Sequence, residues 1–505
     1  MRKHVLIWAI LVLILISLIF TPISFNANGL TNAKEMIQAA FTPSLKQLPG
    51  AFEAAIITLS YAFSAIGIAL IFSFILSLYA SELLKSNRTI RKIIHGIFSG
   101  SRAVHELIWA LFLVTIFGLK PMPGILALAI PYTGMLGKVF TDIFRQLDTQ
   151  SIVRLKQAGA SKGQLILYGY IPQALPQLMS YTFYRLECAF RSSAVLGFVG
   201  ISGIGLKIQL MLNDLRFNDM FTYIYVLIFF VILIEAWTAQ YRRRTHEKTS
   251  LAIFFSMIVI SFFYIGFGQG AIYDDMLTSK NLGFAFQLIK DLLGFTNQNP
   301  AFTDILEIQQ VLFLTLKTIQ MSFVAISIAT TAMLLTLVLG TKRFSHPIAY
   351  GLTRLVYIIT RAVPELIWAM ILVFIFKPGI WVGALALGLH NYGIISKLCA
   401  DVIESLPDEP LQHLRFTGAS RPQLLIYGVI PSVIKRFVSY IIYRWEIILR
   451  TTIVVGIAGA GGLGYYFKFH FSLFHYTHIT LVIIVFMLLV KLADTTSNKL
   501  LKFVQ

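Results

Sequence analysis

The chain has 505 residues, of which 57% are hydrophobic and only 13% charged, about half the charged share of an ordinary soluble domain. So much apolar surface cannot all be hidden in a water-soluble core, and it requires lipid as part of the solvent. The net charge of +19 would suit nucleic acid, but the Lys and Arg stand in short runs between apolar segments, the positive-inside pattern of a membrane protein, and no basic soluble domain is present to carry a nucleic-acid interface.

The first twenty residues, MRKHVLIWAILVLILISLIF, have a basic start and an apolar run. The following TPISFNANGL lacks a small-x-small cleavage pattern, so the reading is a retained span rather than a signal peptide. About 20 apolar residues cross a bilayer core as a helix. On that basis spans are predicted near 5–23, 53–80, 93–117, 122–140, 165–190 and 218–239, then near 250–268, 311–340, 353–376, 380–400, 424–449 and 474–493. With the N-terminus in the cytoplasm, the inside loops carry the basic clusters Lys85–Lys92, Lys138–Lys162 and Arg242–Lys248, and later Lys342, Arg343, Arg354, Arg415, Arg421, Lys499 and Lys502. The long connection at about 269–309 is predominantly acidic and falls outside. Both termini are therefore expected inside.

An internal repeat organises the chain. SRAVHELIWA (101–110) recurs as TRAVPELIWA (360–369), and GASKGQLILYGYIP (159–172) as GASRPQLLIYGVIP (418–431). SYTFYRLECAFR (180–191) recurs as SYIIYRWEIILR (439–450), and GFVGISGIG (197–205) as GIAGAGGLG (456–464). All four pairs keep one offset, 259 residues, and Thr58 aligns with Thr318 after a one-residue shift. The predicted fold is all-α and integral to the membrane: about twelve transmembrane helices in two parallel six-helix repeats. The repeats are 1–245 and 246–505, with cores at about 55–240 and 315–495. Six spans per copy keep both copies in one orientation, with a pathway between them.

Several patterns bear on chemistry. The segments before Gly159 and Gly418 are short polar helix candidates, each stopped by a glycine that accepts left-handed backbone angles. Leu155, Ala158, Gly159, Ala160 and Ser161, with Leu414, Gly418, Ala419 and Ser420, form the two candidate handles. The alternative reading is an ordinary amphipathic loop. Charges inside apolar segments recur in both halves: Arg102/Arg361, Glu106/Glu365, Lys138/Lys397, Asp142/Asp401, Arg185/Arg444, Glu187/Glu446 and Arg191/Arg450. Buried charge is costly unless paired or wetted. Arg102, Glu106, Glu187, Arg361, Glu365 and Glu446 are candidate structural or gating charges. Arg102 and Glu106, Arg361 and Glu365, Lys138 and Asp142, and Lys397 and Asp401 are each four apart, a spacing that allows pairing on a helix. Arg185, Arg191, Arg444 and Arg450 are candidates for an anion path, because the planar guanidinium donates bidentately to an oxyanion.

Other signals point to nothing catalytic. Cys188 and Cys399 sit in apolar stretches without a CxxC pair. GAGGLG (459–464) fits a dinucleotide-loop pattern literally, but without strand–turn–helix context it reads as a glycine-rich turn. The Gly137-Lys138 dipeptide has Tyr132 where a phosphate loop needs glycine, so no ATP site is expected in this chain. His470, His475 and His478 read as interfacial histidines, and no metal site is expected from them.

The paired Gly-Ala-Ser segments resemble the EAA loop of binding-protein-dependent ABC importer permeases. Leu155-Lys156-Gln157-Ala158 and Leu414-Arg415-Phe416-Thr417 stand in place of Glu-Ala-Ala. Arg-Ala-Val-x-Glu-Leu-Ile-Trp-Ala, Tyr-Arg-x-Glu-x-x-x-Arg and the closing glycine pattern are similar to phosphonate-type permeases. That resemblance implies a type I importer fold with two permease units fused in one chain, in a bacterial inner membrane. It also implies two ATP-binding cassette subunits carrying ATP and Mg, docked near 150–163 and 409–422, with a periplasmic or lipid-anchored solute-binding protein. No second permease chain and no cofactor bound by this chain are expected. The implied function is alternating-access import of phosphonate or a related phosphorus oxyanion, with no enzymatic activity of its own. An ion-coupled secondary transporter and a membrane-embedded enzyme are the alternatives from other classes.

Overall fold

The computed structural model describes residues 23–84, 86–148, 150–243, 248–269, 278–295 and 300–504. The first predicted span lies outside them save for Ile23, as do Lys85, Arg244, Asp274 and Asp275. Among the described residues the regular structure is helical. The elements of the first half are α1 (Gly29–Phe41), α2 (Leu48–Ala80), α3 (Arg88–Ala103), α4 (Glu106–Phe117), α5 (Pro121–Gln146), α6 (Gln150–Gln157), α7 (Ile171–Val195), α8 (Ile204–Asn213) and α9 (Phe217–Arg243). Then come α10 (Lys248–Phe263), α11 (Ser279–Leu292), α12 (Ile305–Thr336), α13 (Pro347–Ala362), α14 (Glu365–Ile375), α15 (Ile380–Glu404), α16 (Asp408–Phe416), α17 (Ile430–Val455), α18 (Gly462–Ser472) and α19 (Tyr476–Val504). Among the described residues seven helices are long and apolar enough to cross a membrane, or ten spans if each of three bent pairs is counted as one.

The bends correct the straight spans predicted at 93–117 and 353–376. α3 and α4 meet at 92°, and α13 and α14 at 94°. At the breaks, Val104 and His105 are extended in the first repeat, as are Val363 and Pro364 in the second. Proline explains the second break, because it disfavours the helical region for the residue before it. In the first, His105 caps the new helix, its Nδ1 accepting from Leu107 N–H at 3.2 Å. With 12 residues, α4 is about 18 Å long and cannot span a ~30 Å core alone.

α15, which carries the span predicted near 380–400, is long enough to cross, with 25 residues, although its C-terminal half is polar. Asn391, Ser396, Lys397, Asp401 and Glu404 lie along it. It is the central helix of its bundle, and Ala384, Ala386, Leu387, Ile395, Cys399 and Ala400 are buried against Val324, Ala325 and Ala329 of α12. A helix covered by protein has no need of a lipid-soluble surface. Its small residues also permit close approach: a Cβ on Gly393 would lie 2.5 Å from the Tyr357 carbonyl oxygen of α13.

The helices gather into two compact units. Of the described residues, those within 39–286 build one, and the other joins residues 23–38 to those from 287 onward. This division cuts across the sequence repeats. α10, placed by sequence at the start of the second repeat, packs on α2 of the first. The segment before and within α1 packs on the end of α14, with Asn26 Nδ2 donating to Val373 O at 2.7 Å and Asn32 Nδ2 to Phe374 O at 3.0 Å.

In both units many buried hydroxyls of the long helices bond to the preceding turn, as Thr141 Oγ1 does to Gly137 O at 2.7 Å and Ser327 Oγ to Phe323 O at 2.6 Å. That satisfies them where water is excluded.

Candidate coupling surface and intramembrane charges

Each repeat carries the same exposed feature between its central helix and the next long one. α6 ends two residues before Gly159, whose φ is +86°, and α16 ends two residues before Gly418, whose φ is +87°. No atom lies within 4 Å of a Cβ built on either glycine, so the left-handed backbone, not crowding, demands glycine there. The chain restarts at a capping box: Ser161 N–H donates to Gln164 Oε1 and Ser420 N–H to Gln423 Oε1, both at 2.8 Å. A single helical turn and a π-helical turn then lead into α7 and α17.

The short helices are fastened inward by their apolar residues. A Cβ on Gly169 would touch Leu155 and Ile152 at 3.4 and 3.6 Å, and one on Gly428 would press on Leu411 and Leu414 at 2.8 and 2.9 Å. Leu155 and Leu414 therefore hold each helix to the root of the following one. Ala158, Gly159, Ser161, Gly418 and Ser420 face outward, and Ala160 and Ala419 are half-buried. Phe416 is 84% exposed. The fastenings at the start of each helix differ: Gln173 Nε2 donates to Ser151 Oγ at 2.6 Å in the first repeat, while Arg343 bonds Leu406 O at 3.0 Å and Asp408 at 2.6 Å in the second.

The recurrent charges are engaged, mostly across helices. Arg191 pairs with Glu187 and Arg450 with Glu446 (2.6 Å) on their own helices, and Arg450 also reaches Asp494 of α19. Arg185 differs. Its Nε and Nη2 donate to Tyr181 Oη at 2.8 and 2.5 Å, and its guanidinium lies over the Tyr181 and Tyr184 rings. The two tyrosines also line a cleft of about 480 Å³ with Val139, Ile143, Gln177 and Arg242. Arg444 is half-buried on α17 at the corresponding position.

The four-residue spacings of Arg102 to Glu106 and of Arg361 to Glu365 run across the breaks rather than along one helix. Glu106 accepts from Ser192 Oγ of α7 at 2.5 Å and lies 3.5 Å from His105 Nδ1. Glu365 lies 3.6 Å from Nε2 of His390, whose Nδ1 is 3.0 Å from Val363 O. His390 sits on α15 where the first repeat has Pro131, and Pro364 sits where the first repeat has His105. Each repeat thus sets one histidine beside its glutamate, drawn from a different helix. Arg102 and Arg361 both lie in the last turn before the break, and Arg361 is buried. Asp401, spaced to pair with Lys397, is bonded by Arg354 of α13 at 2.7 Å, which also reaches Glu404 and Gly340 O.

The closing glycines serve close backbone packing rather than nucleotide binding. A Cβ on Gly456 would lie 2.7 Å from Gly464 Cα, and Gly197 and Gly205 occupy the same positions in the first repeat. In both repeats a threonine of the first long helix caps the helix that follows. Ile204 N–H donates to Thr58 Oγ1 at 2.9 Å and Leu463 N–H to Thr318 Oγ1 at 3.0 Å. The one-residue shift that aligned Thr58 with Thr318 thus reflects a shared contact.

His470, His475 and His478 come together at the α18–α19 turn. His470 lies outside the long apolar helices, where burial and the neighbouring His478 and His475 push its pKa down to about 4.

Two membrane halves, each with an exposed short helix and glycine turn at the same place, define a multi-pass transport permease. The chain belongs to the family of binding-protein-dependent transport system inner membrane components, whose model matches residues 69–269 and again 332–501. The family expected from the motifs is the one found. The phosphate-import permease protein PhnE of Mycolicibacterium smegmatis is 28% identical over 448 residues, covering 87% of this chain and 82% of that protein. The phosphite transport system permease protein PtxC of Stutzerimonas stutzeri is 33% identical over 186 residues, covering 37% of this chain and 68% of that protein. Among solved structures, the MetNI methionine ABC transporter in an inward-facing form is 18% identical, with a TM-score of 0.36 over 40% of this chain and 99% of that one.

Proposed function

We propose that this chain is the complete membrane pathway of an ATP-driven importer for phosphonate or a related phosphorus oxyanion, the repeats 1–245 and 246–505 supplying its two halves. The observation that carries this reading is the repeated docking element: two exposed short helices, each ended by a left-handed glycine and fastened to the root of a long helix. A rigid surface helix that cannot move without its long helix transmits a push into the membrane. Two ATP-binding subunits, holding ATP and Mg, grip these helices near 150–163 and 409–422 from the cytoplasm, where both termini also lie. A solute-binding protein delivers the anion to the opposite side.

The names of the relatives, phosphate-import and phosphite permeases, support the cargo class. Arg185 is the best candidate on the path: tyrosines hold its guanidinium, and no carboxylate reaches it among the described residues. Arg191 and Arg450 already have carboxylates and serve structure.

Proteoliposomes test the proposal. The chain is reconstituted with candidate ATP-binding and solute-binding partners, and uptake of labelled phosphate, phosphite and methylphosphonate is followed. The expected result is uptake that needs ATP and the binding protein. Uptake by the chain alone, driven by an ion gradient and indifferent to ATP, contradicts it.

A further inference from the structure

The α18–α19 turn holds a cluster that transport does not use. One ligand nitrogen from each of His470, His475 and His478 lies within 4.8 Å of the others. His470 Nδ1 and His475 Nδ1 face each other at 3.2 Å, close to the ~3.3 Å between two nitrogens bound at 2.0–2.1 Å in a tetrahedral site. His478 has its Nε2 3.7 Å from Glu307 Oε1 at the start of α12, while its Nδ1 is buried with no hydrogen-bond partner. The other oxygen of Glu307 accepts from Tyr466 Oη. This approaches the arrangement of a metal-binding histidine: a carboxylate stands beside one ring nitrogen and the other is left for the ion.

We propose that His470, His475 and His478 form a three-nitrogen site for a zinc-class divalent cation, with Glu307 as the outer carboxylate that orients His478. Neutral imidazoles are borderline ligands that suit zinc and its first-row neighbours rather than calcium or magnesium. Three nitrogens leave a fourth position for water or an anion. His475 is exposed, so the ion has a way in. The site ties the α18–α19 turn to the start of α12, at the end of this unit opposite α16.

The first repeat sharpens the assignment. The same turn is built there, with Leu215 and Phe474 both at φ +57°. The residues matching the three histidines are Met211, Arg216 and Asp219, and Arg216 bonds Asp219 at 2.5 Å. The turn therefore closes without histidine, and three histidines are not a demand of the fold. The interfacial reading from sequence does not account for their convergence or for the buried nitrogen.

The test uses the full chain without a histidine tag, stripped with a chelator in detergent and titrated with zinc chloride while bound zinc is counted by mass spectrometry. We expect saturation at one zinc per chain. His475→Gln, at an exposed position, lowers affinity by about 100-fold or more, and Glu307→Gln lowers it by about 10- to 100-fold. Arg216→Gln leaves it unchanged. Absence of saturable binding overturns the proposal, as does a monodisperse His475→Gln protein that still binds one zinc with unaltered affinity.

Discussion

The two repeats solve the same structural problems with different residues, and the differences separate what the fold needs from what one half alone does. Both place a histidine beside the glutamate after the helix break, His105 in the first and His390 in the second, exchanged with Pro131 and Pro364. A contact kept through such an exchange is one that the architecture selects. Both cap the helix after the glycine segment with a threonine, and both turn their short surface helix on a left-handed glycine. The α8–α9 turn and its counterpart share a backbone but not a chemistry: an ion pair closes one, three histidines the other. The two repeats are thus alike in frame and unlike at that turn.

The largest expected effect comes from breaking an ion pair shared by both halves. Arg191→Gln leaves Glu187 buried without its cation, at a cost of about 3–5 kcal/mol, read as loss of folded protein by size exclusion and thermal unfolding. Arg185→Gln should leave folding intact and lower uptake, since tyrosines rather than a carboxylate hold that guanidinium; an equal loss of folded protein would make it structural too. The exchanged histidines give a rescue experiment. His105→Pro removes a cap worth about 1 kcal/mol and the neighbour of Glu106. Pro131→His added to it should restore much of the melting temperature, and failure of the rescue would break the equivalence of the two arrangements. The smallest effect is Arg343→Ala. Its partner Asp408 is 70% exposed, so the pair contributes under about 1 kcal/mol, and the change should loosen ATPase binding at the second handle only, measured as a faster off-rate.

The repeat, the helical class and the two short surface helices were legible in the sequence because they are local: a fixed offset, a run of apolar residues, a short polar segment stopped by a glycine. The breaks at 104–105 and 363–364 were less so, since hydropathy runs through them and only Pro364 marks one. α15 was legible as the span near 380–400, while its polar C-terminal half, covered by protein rather than lipid, was not read as part of it. The charge partners were illegible for a different reason. Helical spacing pointed to Arg102 with Glu106 and Lys397 with Asp401, but gave no sign that packing also brings Ser192 to Glu106 and Arg354 to Asp401. Glu307 was missed at the histidine cluster because it belongs to a helix far earlier in the chain. His390 could have been found by aligning the repeats and noticing that histidine and proline trade places.

The central claim is that one chain carries both docking sites, and ATPase stoichiometry tests it most directly. The assembled complex is weighed by native mass spectrometry for the unaltered chain, Gly159→Val, Gly418→Val and the double variant. A β-branched residue at a left-handed position is strained by about 1–3 kcal/mol, and no neighbour clash confounds it. The account predicts one permease chain with two ATPase subunits, weakened binding of one subunit in each single variant and loss of both in the double variant. A complex with two permease chains, or two ATPases retained by the folded double variant, would contradict it.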